Sequence, residues 1–194
     1  MNVIAANKLA QGIERAINTI MEENQRTIGA IEYKEIAIML TSLTKTGTIF
    51  VMGAGRTGLM MKAGAMRLMH LGYKVYVVGE TTTPAISAGD FLMAGSGSGT
   101  TSGIVKAAET ARKVGAKVLC FTTDGNSPLG TTANYSVIIP AAQKQERDED
   151  ISKQYAGSLF EQSLLLVLDA LIQTLWETDG SEASELWKRH ANME

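Results

Sequence analysis

The stretch FVMGAGRTGLMMKAGAMRLM, residues 50–69, passes from an apolar strand through Gly53-Ala-Gly55-Arg-Thr-Gly58 into an amphipathic helix. A G-x-G-x-x-G turn between a strand and a helix opens a βαβ unit, and in that context it suits a dinucleotide. Glu80, just past the next strand, stands where a ribose-binding acid would sit. The same loop can equally form one wall of a site for a smaller phosphorylated ligand.

Outward from this unit, TIFVM (48–52), KVYVV (74–78), DFLMA (90–94), KVLCFTT (117–123) and YSVIIP (135–140) are short, β-branched and bounded by turns. They read as buried strands. Helical segments lie between them at 57–71, 100–114 and 127–133. Strands alternating with helices predict right-handed crossovers and a parallel sheet covered on both faces. Two helices precede the sheet, at 1–28 and 34–44; a long one follows at 158–178 and a short one at 182–189. The expected fold is α/β: a five-stranded parallel sheet, doubly wound in the order 2-1-3-4-5. We expect one domain over 1–194, with N-terminal helices in 1–45, the core in 46–141, and C-terminal helices and tail in 157–194.

Composition narrows the partners. Among 194 residues, 18 are basic and 20 acidic, and no window is strongly basic, so a nucleic-acid footprint is absent. The single Cys120 excludes an internal disulfide, and no Cys or His cluster has zinc spacing. A reducing, cytoplasmic setting is expected. The N-terminal MNVIAANKLAQGIERAIN carries polar residues throughout and is expected to be neither a signal peptide nor a membrane span.

A second glycine-rich loop turns the reading toward phosphate. The third strand ends in Ala94-Gly95-Ser96-Gly97-Ser98-Gly99-Thr100-Thr101-Ser102-Gly103 before another helix. Small residues let backbone approach a ligand, and free amides at a helix N-terminus suit an anion. The hydroxyls of Ser96, Ser98, Thr100 and Thr101 suit the three exposed oxygens of a phosphomonoester better than a pyrophosphate bridge. A lone Ser would be read as a helix cap. In the order 2-1-3-4-5, strands one and three are neighbours whose crossovers diverge, and ligands bind at that switch point. Loops 53–58 and 95–101 then face each other across one cleft, with Gly55, Arg56 and Thr57 on one side and Ser96, Gly97, Ser98, Gly99, Thr100 and Thr101 on the other.

At these residues the chain resembles the sugar isomerase (SIS) domain family, whose signature is a Ser/Thr-rich loop after the third strand. Within it, GAGRTG, AMRLMHLGYKVYVVGETTTPAI, SGSG, GSLFEQSLLLVLDA and KRHANME are similar to the 6-phospho-3-hexuloisomerase branch, over nearly the whole chain. The resemblance implies interconversion of D-arabino-hex-3-ulose 6-phosphate and fructose 6-phosphate, with no metal or organic cofactor. It implies a cytoplasmic homotetramer, functionally coupled to 3-hexulose-6-phosphate synthase in formaldehyde fixation or ribulose 5-phosphate supply. By position it places the phosphate loop on Ser96–Thr101, a substrate-contacting hydroxyl on Thr57 and the proton-accepting carboxylate on Glu161. Two features depart from the branch: Thr100 stands where relatives usually have an acidic residue, and Tyr155-Ala156-Gly157 where they often have Pro-Met-Gly.

Moving a carbonyl from C3 to C2 requires a proton to leave C2 and return at C3 through an enediol(ate), which one carboxylate can manage. A 3-keto-hexose could close a five-membered ring only through the phosphorylated O6, so the substrate is open-chain. Glu161 also completes Ser158-Leu-Phe-Glu161, a capping-box spacing. From spacing alone the cap is the simpler role; the resemblance makes Glu161 the base. His70, near the end of the first crossover helix, and His190, in the tail, are candidates for moving protons between oxygens or opening a ring, His190 in a neighbouring subunit's site. Alternatively His70 serves the helix dipole. Arg67 reads as a structural ion-pair partner, the Met residues at 60, 61, 66 and 69 as core or interface packing, and 143–150 as a solvated loop or, alternatively, a lid. The long helix from 158 reads as apolar on nearly every side, which predicts a subunit contact. A non-catalytic phosphosugar-binding module, an isomerase of another sugar phosphate and a small NAD-dependent oxidoreductase are the other readings.

Overall fold

The computed structural model describes residues 3–43, 47–143 and 152–193. Helices α1 (Val3–Gly29) and α2 (Lys34–Ser42) lead into β1 (Thr48–Gly53), α3 (Gly55–His70), β2 (Lys74–Val77), β3 (Phe91–Gly95), α4 (Ser102–Lys113), β4 (Lys117–Thr122), α5 (Pro128–Thr132) and β5 (Tyr135–Ile138). Helices α6 (Ser158–Asp179) and α7 (Ala183–Trp187) complete the chain. All five strands pair in parallel in the order β2-β1-β3-β4-β5, as the alternation of elements predicts.

Alternation along the strands divides the core. Ile49, Val51, Met93 and Phe121 point to one face and pack with Met61, Leu68, Leu164 and Leu168 of α3 and α6. Phe50, Leu92 and Cys120 point to the other face and meet Ile104 of α4 and Leu129 of α5. Each such side chain is nearly or fully buried, and full burial contributes about 1.5–3 kcal/mol. The crossover from β2 to β3 carries no helix. It is pinned at its end by Asp90, whose carboxylate accepts from the Thr48 amide at 3.0 Å and from the Ser87 amide and hydroxyl at 2.8 and 2.9 Å. Asp90 therefore precedes β3 rather than belonging to it.

Two local expectations change. Helix α6 begins after Gly157, which is its N-cap at φ 80° and offers no side chain, so Ser158 and Glu161 form no capping box. Its surface is not apolar all round either: Asp169, Gln173 and Glu177 make a polar exposed stripe at four-residue spacing, although Leu166 is exposed as well. By length and composition α6 is the one helix among the described residues apolar enough to cross a membrane, yet half of that window is buried inside this fold. In α1, the spaced apolar residues Leu9, Ile13, Ile17 and Met21 face away from the core and are exposed.

Candidate functional site

The β1–α3 and β3–α4 loops meet at the carboxyl edge of adjacent strands, where the two crossovers leave on opposite faces. Between them lies a cleft of about 470 Å³ whose wall includes Gly55, Thr57, Ser96, Gly97, Ser98, Thr100 and Thr101. The first loop's glycines are needed for packing: a Cβ on Gly58 would stand 2.7 Å from the Gly53 carbonyl oxygen, so α3 could not start this close to β1. That requirement is independent of any cofactor. Glu80, the candidate ribose acid, is instead half exposed and pairs with Lys62 at 3.5 Å.

The second loop is held from below. The Gly97 carbonyl accepts from the Thr123 amide at 2.9 Å and from the hydroxyls of Thr122 and Thr123 at 3.1 and 2.9 Å. Helix α4 then begins with Thr101 as N-cap and no side-chain capping bond. Capping is thus not what the loop hydroxyls do. Ser96 and Thr101 hydroxyls lie 3.0 Å apart, and those of Ser98 and Thr100 lie 2.9 Å apart, each pair free to exchange its mutual bond for a ligand oxygen. With the first-turn amides of α4, this set can surround a phosphomonoester.

Helix α6 brings the carboxylate. Phe160 lies against the cradle, with its ring 3.4 Å from where a Cβ on Gly97 would be. The next residue, Glu161, is 3% exposed, and Gly157, one turn before it, is on the cleft wall. Glu161 Oε2 accepts from Arg56 Nη1 at 3.2 Å. Arg56 thus spans from the first glycine loop to α6 rather than lining the wall itself. Gly99 also lies behind the wall, where its carbonyl accepts from the Leu129 amide at 3.0 Å.

Residues 42–166 match the family profile described as SIS domain. The chain belongs to the SIS domain family. This SIS domain is 50% identical over 190 residues to a 3-hexulose-6-phosphate isomerase of Mycobacterium gastri, covering 98% of this chain and 96% of that one. A Bacillus subtilis protein of the same name is 36% identical over 176 residues, covering 90% and 95% of the two chains. The solved structure of a Methanococcus jannaschii protein, from which that same isomerase function was inferred, matches with TM-score 0.80 and 26% identity, over 93% of this chain and 99% of that one.

The histidines are not at this SIS domain's own cleft. His70 ends α3, 13 residues beyond Thr57, or about 20 Å along the helix. It stacks on His190 with ring centroids 4.0 Å apart, and Trp187 lies beside them. Together with Arg67 and Asp169 these rings line a separate cavity of about 360 Å³. Burial foremost, then the nearby His190 and Arg67, hold His70 below the usual imidazole pKa. Its Nδ1 is buried with no hydrogen-bond partner in the described structure.

Sequence reasoning missed part of the wall. Ala142 and Gln143, which follow the last strand, also line the cleft, and Ile104 supplies an apolar patch. Neither Ala142 nor Gln143 carries a motif; only the sheet's closure brings them there. Of the 143–150 run, residues 144–150 lie outside the described residues. Cys120 is buried in the second core, and burial raises its thiol pKa, which fits a packing role. Among the described residues no three of His, Cys, Asp and Glu are grouped so as to hold a metal ion.

Proposed function

We propose that this protein is a 3-hexulose-6-phosphate isomerase, interconverting D-arabino-hex-3-ulose 6-phosphate and D-fructose 6-phosphate. The observation that carries this reading is the cradle of four hydroxyls abutting the first turn of α6, with the buried Glu161 carboxylate beside it. The relatives from Mycobacterium gastri and Bacillus subtilis carry that activity in their names. Ser96, Ser98, Thr100 and Thr101 hold the phosphate, with Gly55 and Gly97 allowing the backbone to come close and Gly99 turning the loop from behind the wall. Thr57 contacts the sugar. Glu161 takes the proton from C2, the electron pair forms the C2–C3 double bond of an enediol(ate), and the same carboxylate returns a proton to C3. Arg56 holds the carboxylate in place and adds positive charge next to the developing enediolate. No step requires a metal or organic cofactor.

His190 completes the cleft of a neighbouring copy, where it moves protons between O2 and O3, with the buried His70 stacked behind it. The assembly is a homotetramer, the state the family resemblance implies, and exposed Leu9, Ile13 and Ile17 on α1, Leu59 and Met66 on α3 and Leu166 on α6 are suitable contacts for it. Mixing Glu161→Gln chains with His190→Ala chains should restore turnover if sites are shared; no restoration, in hybrids verified by mass, would confine each site to one chain. The enzyme works in the cytoplasm, in sequence with 3-hexulose-6-phosphate synthase.

The test is direct. Hex-3-ulose 6-phosphate, made from formaldehyde and ribulose 5-phosphate by the synthase, is supplied to the purified protein with and without EDTA. Fructose 6-phosphate should form equally in both. Folded protein that forms none would remove the assignment.

A further inference from the structure

The end of α1 carries a polar cluster that neither the cleft nor the core accounts for. Glu23 and Asn24 are each 5% exposed, on a helix whose earlier residues are largely exposed. Glu23 Oε2 accepts from the Ser152 hydroxyl at 2.7 Å and from Gln154 Nε2 at 3.0 Å, while its Oε1 accepts from the Lys153 amide at 2.8 Å. Asn24 Nδ2 donates to Gln162 Oε1 at 2.7 Å, and its Oδ1 accepts from the Ser163 hydroxyl at 3.0 Å. Gln162 Nε2 closes the ring by donating to Gln154 Oε1 at 2.8 Å.

These partners lie on both sides of Glu161 in the chain. Residues 152–154 lead directly into the Tyr155–Gly157 turn, where the Ser158 amide donates to the Tyr155 carbonyl at 3.0 Å. Gln162 and Ser163 follow Glu161 by one and two positions. At about 100° per residue they point away from its face of the helix, toward α1. A carboxylate at the start of a helix can be misaimed by rotation of the helix or by a shift of the turn before it. Glu23 fixes the turn, and Asn24 fixes the rotation.

We propose that Glu23 and Asn24 are positioning residues for the reaction: through Ser152–Gln154 on one side and Gln162–Ser163 on the other, they aim the Glu161 carboxylate into the cleft. This rests on the reading of Glu161 as the base of the isomerase. A displacement of about 1 Å at a reacting group can cost on the order of 10²-fold in rate. None of these five partners lines the cleft, so substrate affinity is left intact. The signature is therefore a fall in kcat with KM retained.

The experiment compares wild type with Glu23→Gln, Ser152→Ala and Gln162→Met, with kcat expressed per folded protein. Glu23→Gln puts an amide donor against either the Lys153 amide or the Gln154 Nε2, and should lower kcat at least about ten-fold with KM within about two-fold. The two milder variants should each lower it by about three-fold, and they decide the matter if Glu23→Gln does not fold. Wild-type kcat in folded variants, or KM rising as much as kcat falls, would overturn the proposal. If wild type itself makes no fructose 6-phosphate, the activity is wrong but the clamp can still be read by hydrogen exchange. Faster exchange at the Lys153 and Glu161 amides of Glu23→Gln would support it, and unchanged exchange would reject it.

Discussion

Replacing Gly99 with alanine perturbs the phosphate cradle without removing a hydroxyl. Gly99 has φ +62°, in the left-handed region that costs a side-chain-bearing residue roughly 1–2 kcal/mol. An added Cβ would also fall on Ser127, within 2.4 Å of its Cβ and closer still to its hydroxyl. Ser127 cannot yield freely, because its hydroxyl donates to the Asp124 carbonyl at 2.6 Å and accepts from the Gly130 amide at 3.2 Å. Relieving such an overlap costs about 1–3 kcal/mol more. The total, about 2–5 kcal/mol, lowers the melting temperature of a chain this long by about 4–20 °C. Each charge-assisted hydrogen bond to the phosphate that breaks as the loop shifts is worth about 1.5–3 kcal/mol, which raises KM roughly 10- to 100-fold. Ser127→Gly removes the two closest atoms, leaving only the Thr122 hydroxyl at 3.0 Å, at a cost of a few tenths of a kcal/mol as a cap. In the double variant it should therefore recover the overlap term while leaving the backbone term. Melting curves and steady-state kinetics on the four proteins give both readouts. A Gly99→Ala protein with wild-type melting and KM, or a double variant no better than Gly99→Ala, would refute the reasoning.

Asp90→Ala leaves the Thr48 and Ser87 amides without their acceptor and should destabilise the fold by about 2–3 kcal/mol in denaturant titration. Its effect on KM should be small, because Asp90 lies at the opposite end of β3 from the cradle. His70 titrates below its ordinary 6.5 in the folded chain, so the unfolded chain takes up a proton first as pH falls. Stability from this group is therefore complete above about pH 6.5 and declines below it toward the lowered folded value. The melting temperature should fall from about pH 7 to about pH 5 and do so less in His70→Asn; a flat profile in wild type would contradict the burial of that ring. Glu23 is also held below the usual carboxylate range. Burial alone would raise it, but hydrogen bonds from Lys153, Ser152 and Gln154 and the charge of Arg26 outweigh that effect. Its contribution is present above about pH 4.5 and lost as pH falls through the lowered folded value, so Glu23→Gln should flatten the acid end of the stability profile.

The strand order was legible because each strand is a short apolar run and each crossover has a distinct punctuation, so adjacency rules left few topologies. The cradle was legible because hydroxyls were dense at Ser96–Thr101. Glu161 was ambiguous in sequence, since the Ser158-x-x-Glu161 spacing describes a cap while the family resemblance implies a base; the left-handed Gly157 takes the N-cap itself, which removes the capping-box reading. The sequence left His70 open between proton transfer and the helix dipole; the length of α3 carries it away from its own cleft, and its stacking on His190 depended on where α7 returns, which no local pattern encodes. Glu23 and Asn24 look like the solvated edge of an amphipathic helix. Only the approach of residues 152–163 makes them buried, and a long-range approach leaves no local sequence signal. The exposed stripe at Leu9, Ile13, Ile17 and Met21 shows the converse, an apolar pattern that a single chain does not bury.

Glu161→Gln, assayed on hex-3-ulose 6-phosphate in deuterated water, isolates the carbon-to-carbon proton transfer from substrate binding. Loss of a positioned general base typically costs 10²–10⁴-fold. The variant should lose kcat on that scale, keep KM within a few-fold, and place almost no deuterium at C3 of fructose 6-phosphate over the time in which wild type labels it. A Glu161→Gln enzyme that turns over within about three-fold of wild type, with the same labelling, would mean that another group moves the proton.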